Sequence, residues 1–229
     1  MADGRQKKVF LESEGDAYHR RNVGKYSPDE LDRMAVADEV IKALRALKIV
    51  PVDLLEVGCG AASRLECIRK AFGTNCHGIE PSQEAVLFAR QSSPGIHVEQ
   101  GVASEIPFEA GQFDTVVMGF CLYLCDREDL FKIAYEADRV LRDGGFLMVF
   151  DFVTAFPYAN PYKHRPGLLS YKMDYSMLFR WNPAYRLLYH TVFTHNPDIP
   201  AHAAPPDEHV AVSVLHKNLK HAWPPGPDA

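Results

Sequence analysis

No stretch of the 229 residues approaches the run of about 20 apolar residues that a membrane helix needs, so no bilayer contact is expected. The start, Met1-Ala2-Asp3-Gly4-Arg5-Gln6-Lys7-Lys8, is polar, and no apolar signal region follows it. The expected location is therefore the cytoplasm. Cysteine is scarce: five residues, an odd and scattered number, which argues against a disulfide framework. Cys59, Cys67 and Cys76 fall on apolar stretches, where a thiol acts as a small apolar group. Cys121 and Cys125 have no further ligand types close by, so no metal site is expected. Positive charge is also in short supply. With 25 Lys+Arg against 30 Asp+Glu the net charge is −5, which disfavours a nucleic-acid partner.

The hydrophobic fraction of 47% is ordinary for a globular chain, and the length suffices for one domain with a large core. The organising stretch is Asp53-Leu54-Leu55-Glu56-Val57-Gly58-Cys59-Gly60, an apolar run that ends in an acid and breaks on two glycines. Ala61 to Lys70 then read as a helix. Strand, glycine turn and helix form the first unit of a nucleotide-binding α/β sheet. Glycine permits backbone angles that a Cβ forbids and lets the chain approach a ligand closely. The free N–H groups of the helix start can hold an anion. A second strand, Asn75-Cys76-His77-Gly78-Ile79-Glu80, again ends in an acid. Glu80 follows Gly60 by 20 residues, the spacing at which an acid hydrogen-bonds ribose hydroxyls.

Along the chain, residues 9–22 hold aromatics with little helical periodicity. Ser27-Pro28-Asp29-Glu30 reads as a capped helix start, with an apolar face running to about residue 48. Ser82 caps a helix over 82–92, and residues 96–100 form a third strand. Phe113 to Gly119 make a fourth strand, Asp126 caps a helix over 127–141, and Phe146 to Phe150 are a fifth strand. The alternation argues for a parallel, doubly wound sheet. The texture changes after Phe152. Residues 156–196 carry ten aromatics, and five basic residues (Lys163, Arg165, Lys172, Arg180, Arg186) against one acid, Asp174. This segment reads as a solvated face or as a basic pocket for an anionic substrate. Residues 171–179 and 185–193 suit two strands joined by Trp181-Asn182-Pro183. His209 to Lys217 are a last strand, and Trp223 to Ala229 a disordered tail.

The order Glu56-x-Gly58-x-Gly60, with the acid ahead of the glycines, resembles the class I S-adenosylmethionine-dependent methyltransferases. Dehydrogenases instead carry Gly-x-Gly-x-x-Gly, and Ser63 stands where their last glycine would be. The frequent third glycine of the methyltransferase turn is Ala62. The resemblance implies an α/β fold: a doubly wound, mostly parallel seven-stranded sheet with helices on both faces, an N-terminal helical cap and C-terminal antiparallel strands. It implies one domain over 1–222, with cap and helix at 9–48, a cofactor core at 50–152 and substrate-side strands at 156–217; 223–229 are the tail. Gly15-Asp16-Ala17-Tyr18-x-x-Arg21-Asn22 is similar to the caps of small-molecule and saccharide-pathway members.

The implied cofactor is S-adenosylmethionine, leaving S-adenosylhomocysteine as product. Its implied contacts are Glu56 near the amino group, Gly58, Cys59 and Gly60 in the loop, and Glu80 at the ribose. Pro81, Ala103 and Ser104 would lie at the adenine, with Phe120 at the methionine end. Val102 stands where the family often has the adenine-binding Asp, and Tyr123 stands near a frequent His. An oxygen acceptor calls for a base, for which His164, His190, Tyr18, Tyr123 and Asp174 are the candidates. Asn182-Pro183-Ala184-Tyr185 lies away from the end of the fourth strand, where DNA adenine methyltransferases carry a similar motif, so DNA methylation is excluded. The expected activity is O-methylation of a natural-product or sugar-type metabolite, anionic or amphipathic. N-methylation of a small molecule or peptide amine stays open, as do a non-catalytic S-adenosylmethionine-binding module and a monomer or a homodimer.

Overall fold

A computed structural model describes residues 6–22, 24, 33–34, 36–196 and 198–226. The expected helix start at Ser27 to Glu30 and the last three residues of the expected tail lie outside these. A central sheet of seven strands runs β3-β2-β1-β4-β5-β9-β8. Its members are β1 (Asp53–Val57), β2 (Asn75–Glu80), β3 (His97–Gln100), β4 (Phe113–Gly119), β5 (Leu141–Phe152), β8 (Tyr185–Thr194) and β9 (His209–Lys217). The first five are parallel, while β9 runs antiparallel to β5 and to β8. The strand order reverses at β1, so the crevice beyond the ends of β1 and β4 is where a ligand site is expected in such sheets.

Both faces of the sheet are buried, which is why its parallel strands read as nearly continuous apolar runs. On one face, Leu54 packs with Val40, Ile41 and Leu44 of α2 (Glu39–Ala46) and with Leu65 and Ile68 of α3 (Ser63–Phe72). On the other, Leu55, Val57 and Met118 pack with Ile133, Ala137 and Val140 of α5 (Leu130–Val140). The helix α4 (Gln83–Ser92) starts as its sequence predicts, with the Ser82 hydroxyl accepting from the Ala85 N–H. The helix expected up to residue 48 is interrupted: residues 33–34 and 36–37 are helical, Asp38 is extended, and its carboxylate caps a new helix, α2, by accepting from the Val40 and Ile41 N–H groups.

The N-terminal cap is helical, as expected, and two other expectations are corrected. Residues 6–22 form one helix, α1, made of Gln6–Val9, a π-turn at Phe10–Glu14 and Gly15–Asn22. Its buried side is Phe10, Glu14, Gly15 and His19, too polar to show as an apolar stripe. Asp126 does not cap the helix after it. Its two carboxylate oxygens instead accept from the N–H groups of Gln6 (2.7 Å) and Lys7 (3.1 Å), at the start of α1. The predicted hairpin of residues 171–179 with 185–193 does not form. Leu169–Lys172 (β7) pairs with Tyr158–Pro161 (β6) in a separate two-stranded sheet. Met177–Arg180 is a helical turn, set up by Asp174, which accepts from the Ser176 N–H and hydroxyl. The strand β8 finds its partner in β9 instead.

Candidate functional site

The turn after β1 is built from left-handed backbone. Gly58, Gly60 and Ala62 have φ of +78°, +53° and +61°, and the Ala62 N–H closes the turn on the Cys59 carbonyl at 2.9 Å. A Cβ added at Gly60 would meet nothing within 4 Å, because that side opens into a cavity. The Gly60 N–H donates to Oε2 of Glu80 at 2.9 Å, and the Ser82 N–H donates to Oε1 at 3.0 Å. The acids at the ends of β1 and β2 are thus drawn to one place. Burial pushes the Glu80 carboxyl up to about 7, against the pull of these two N–H groups.

Glu56 is 1% exposed. Its Oε1 pairs with Nη1 of Arg64, whose Nε reaches Asp38 at 2.9 Å and whose guanidinium lies 4.9 Å from the Phe150 ring centre. Gly119, at the end of β4, makes room for this carboxylate: any Cβ there would collide with Oε1 of Glu56. Burial raises the Glu56 carboxyl, while Arg64 lowers it. The second oxygen, Oε2, is buried and meets no hydrogen-bond partner. An unpaired buried carboxylate oxygen is costly, and facing a cavity it is suited to a donor brought by a ligand.

The cavity measures about 500 Å³, within the usual size of small-molecule sites. Gly101 to Ser104, Ile79, Glu80 and Pro81 line one side. Gly119, Phe120, Cys121 and Tyr123 line the other. Phe120 takes φ +59°, and its N–H donates to the Phe150 carbonyl at 2.8 Å. Its ring stacks on Phe150 at 5.0 Å and on His195 at 5.4 Å. Asp151 holds this loop from below, accepting from the Leu122 and Tyr123 N–H groups at 2.8 and 3.3 Å. Lys7, Phe10, Gly15 and Tyr18 of α1 form the roof. The roof is fastened at one end by Asp126. At the other, Asp16 accepts from the Ser82 hydroxyl at 2.7 Å and the Glu84 N–H at 3.0 Å, and Arg20 reaches Glu84. At Gly15 a Cβ would come within 2.6 Å of the Phe10 carbonyl oxygen.

The residues expected at the cofactor all line this one cavity: Glu56, Gly58, Cys59, Gly60, Glu80, Pro81, Ala103, Ser104 and Phe120. The candidate bases divide. Tyr18 and Tyr123 line it, but burial raises both hydroxyls, with the Glu80 charge adding at Tyr18, so they hold their protons more firmly. The other three lie away from it. His164 is exposed against Tyr162, His190 is exposed on β8 with Nδ1 2.9 Å from the Ser213 hydroxyl, and Asp174 is spent on Ser176. The basic residues of 156–196 are equally absent from the lining. Arg165 reaches Ser13 and Lys172 the Asp207 carbonyl, so no basic pocket forms there.

Sequence reasoning missed Arg64, Phe150 and His195. Arg64 carried a signal: it lies eight residues after Glu56, in the first turn of the helix that follows the glycine loop. A second cavity of about 450 Å³ meets the first at Phe150 and His195 and is otherwise lined by residues 37–40, Lys42, Phe193 and Thr194. Among the described residues, the five cysteines are free, no cluster of His, Cys, Asp and Glu is arranged for a metal, and no helix is long and apolar enough to cross a membrane.

Residues 55–149 match a family described as a methyltransferase domain. An uncharacterized protein of Mycobacterium bovis is 30% identical over 133 residues, 58% of this chain and 44% of that protein. A fatty-acid O-methyltransferase of Mycolicibacterium smegmatis is 29% identical over 126 residues, 54% of this chain and 45% of the enzyme. The chain thus spans under half the length of these relatives. Among solved structures, the 1,6-didemethyltoxoflavin-N1-methyltransferase of Burkholderia thailandensis, with 1,6-didemethyltoxoflavin and S-adenosylhomocysteine bound, shares the fold. Its TM-score is 0.64 at 15% identity, over 95% of this chain and 92% of that one.

Proposed function

We propose that this protein transfers a methyl group from S-adenosylmethionine to a hydroxyl of a small molecule. The observation that carries the reading is the meeting of Glu56, the Gly58–Gly60 turn and Glu80 on one cavity, with one Glu56 oxygen buried and unpaired. That oxygen suits an ammonium donor, and the two Glu80 oxygens suit a vicinal diol. The space above Gly60, which a Cβ would enter, suits a chain lying across the turn. Bound there, S-adenosylmethionine supplies a methyl group on a sulfonium, already activated for in-line displacement. The residues are then left to position, to exclude water and to take a proton. The roof helix and the aromatic wall around Phe120 do the second of these.

The relative named as a fatty-acid O-methyltransferase agrees with an oxygen acceptor. Calorimetric titration with S-adenosylhomocysteine tests the reading. We expect binding by the wild type and a loss of about tenfold or more in Gly60→Ala, whose methyl would stand in the cavity. Tritium-labelled methyl transfer to extract metabolites separates an enzyme from a binding module. Product on nitrogen rather than oxygen would overturn the acceptor atom. Equal affinity in Gly60→Ala would place the ligand elsewhere.

A further inference from the structure

His195 is the one imidazole among the described residues that lines the main cavity, and it lines the second cavity as well. Its ring is held in a defined plane, parallel to Phe120 within 10° at 5.4 Å, with Phe152 5.9 Å away. Its Nδ1 lies 3.8 Å from Oε2 of Glu208, and its backbone N–H donates to the Glu208 carbonyl at 2.7 Å. At 3.8 Å this is not yet a hydrogen bond, but a carboxylate drawn in to Nδ1 would favour the tautomer in which the opposite nitrogen, Nε2, is the proton acceptor. Distances of this kind are commonly long before substrate binds and shorten as the imidazole takes charge. The side chain is 56% exposed, so an incoming molecule covers it.

The second cavity has a flat, aromatic end. Phe150 and Phe193 lie with ring centres 6.0 Å apart and planes within 18°, a spacing suited to offset stacking. The charged groups around it are Asp38, already committed to Arg64 and to the start of α2, the Glu39–Lys42 pair at 2.7 Å, and Glu208. Lys172 stands behind Phe152, 3.9 Å from its ring centre, and its ammonium is held by Asp207. Among the described residues that line this cavity, the one cation, Lys42, is paired with Glu39.

Resting on the proposed methyl transfer, we infer that the second cavity receives a planar aromatic body bearing a weakly acidic hydroxyl, and that His195, backed by Glu208, is the general base for that hydroxyl. The acceptor O–H bond breaks as the new O–CH₃ bond forms. The proton goes to Nε2, and the electron pair of the broken carbon–sulfur bond stays with sulfur. The imidazolium then loses its proton to water from its exposed edge.

The probes are 2-naphthol, whose hydroxyl is weakly acidic, and 4-nitrophenol, whose hydroxyl ionises readily without help. Wild type, His195→Gln and Glu208→Gln are compared by three readouts: S-adenosylhomocysteine calorimetry, histidine-ring NMR during 2-naphthol titration without any cofactor, and labelled methyl transfer to both phenols. The expected result is unchanged S-adenosylhomocysteine affinity, a 2-naphthol-dependent shift of the His195 signal, and a rate on 2-naphthol that falls about 100-fold in His195→Gln. The loss on 4-nitrophenol is under about tenfold, because that oxygen needs less help. Glu208→Gln falls between and lowers the titration midpoint of the His195 ring. Equal losses on both phenols, no loss on either, an unmoved His195 signal, or a wild type that binds S-adenosylhomocysteine yet leaves 2-naphthol unmethylated each overturn the assignment. A wild type that fails to bind S-adenosylhomocysteine overturns the methyltransferase reading itself.

Discussion

If S-adenosylmethionine binds as proposed, acidification is expected to loosen its hold at Glu80 well before it unfolds the sheet. Glu80 sits between two N–H groups and a cavity, with its carboxyl pushed up to about 7. A ribose diol donates two hydrogens, and the carboxylate accepts both, whereas the protonated carboxyl has given up one oxygen to its own proton. The fraction ionised scales the apparent affinity. It is about one tenth at pH 6 and about 3% at pH 5.5, so the Kd for S-adenosylhomocysteine rises about tenfold and about 30-fold from its plateau above pH 8. The same shift has the opposite sign for the free protein. A carboxyl whose folded pKa is raised contributes fully to stability only below its unfolded value near 4.5. That contribution is lost as pH rises through 7, by up to about 3 kcal/mol.

Ligand binding and folding therefore respond to this one group in opposite directions, which separates a local effect from general acid loosening. The assay is calorimetry from pH 5.5 to 8.5 beside thermal unfolding, for the wild type and Glu80→Gln. The variant keeps the side-chain volume, binds about 10–100-fold more weakly through the loss of charge-assisted bonds, and its Kd shows no break near 7, while its stability keeps the part of the slope that belongs to Asp151. Asp151 is also raised by burial, to about 7, but it lies beneath the loop and titrates in both proteins. A wild-type Kd that is flat from pH 5.5 to 8, or the same slope in Glu80→Gln, would refute the reasoning.

Two further changes probe the turn and the roof. Ala62→Gly removes a left-handed cost of about 1–2 kcal/mol at φ +61° and adds about 0.5–1 kcal/mol of chain entropy; a net gain of up to about 1 kcal/mol, read as a higher Tm, is expected. Asp126→Ala strips the acceptors from the Gln6 and Lys7 N–H groups. A loss of about 1 kcal/mol is expected, seen in hydrogen exchange as faster labelling of residues 6–22 while β1 and β4 stay protected.

The sheet was legible because its signals are local. The strands β1, β2 and β4 are short, largely apolar runs closed by an acid or a glycine, and β4 and β9 occupy the spans their patterns predict. The lining of the main cavity was legible for the same reason, since Glu56, Gly60 and Glu80 lie at strand ends whose meeting the topology dictates. The roof was legible only as a helical cap implied by resemblance; its fastening was not, because it is held by contacts about 120 residues apart, Gln6 and Lys7 with Asp126, and its inner face includes a glycine, a histidine and a glutamate. Aromatic alternation at 171–179 suggested a strand, but the Asp174–Ser176 bond closes a turn that alternation does not reveal. His195 lies just past β8 in a loop, with no pattern around it. Its partner Glu208 becomes a neighbour only because β8 and β9 pair antiparallel.

The π-turn at Phe10–Glu14 has an evolutionary consequence. It holds one residue more than a regular turn, so it sets the rotational phase between the two halves of α1. Losing one residue there would restore an ordinary helix and rotate everything before it by about 100°, taking Lys7 off Asp129 and Phe10 off the cavity while Tyr18 and Asp16 keep their places. Single-residue length changes in this short span are thus a tuning device. They reshape the ceiling over the cavity in one step and leave the glycine turn and both strand-end acids untouched.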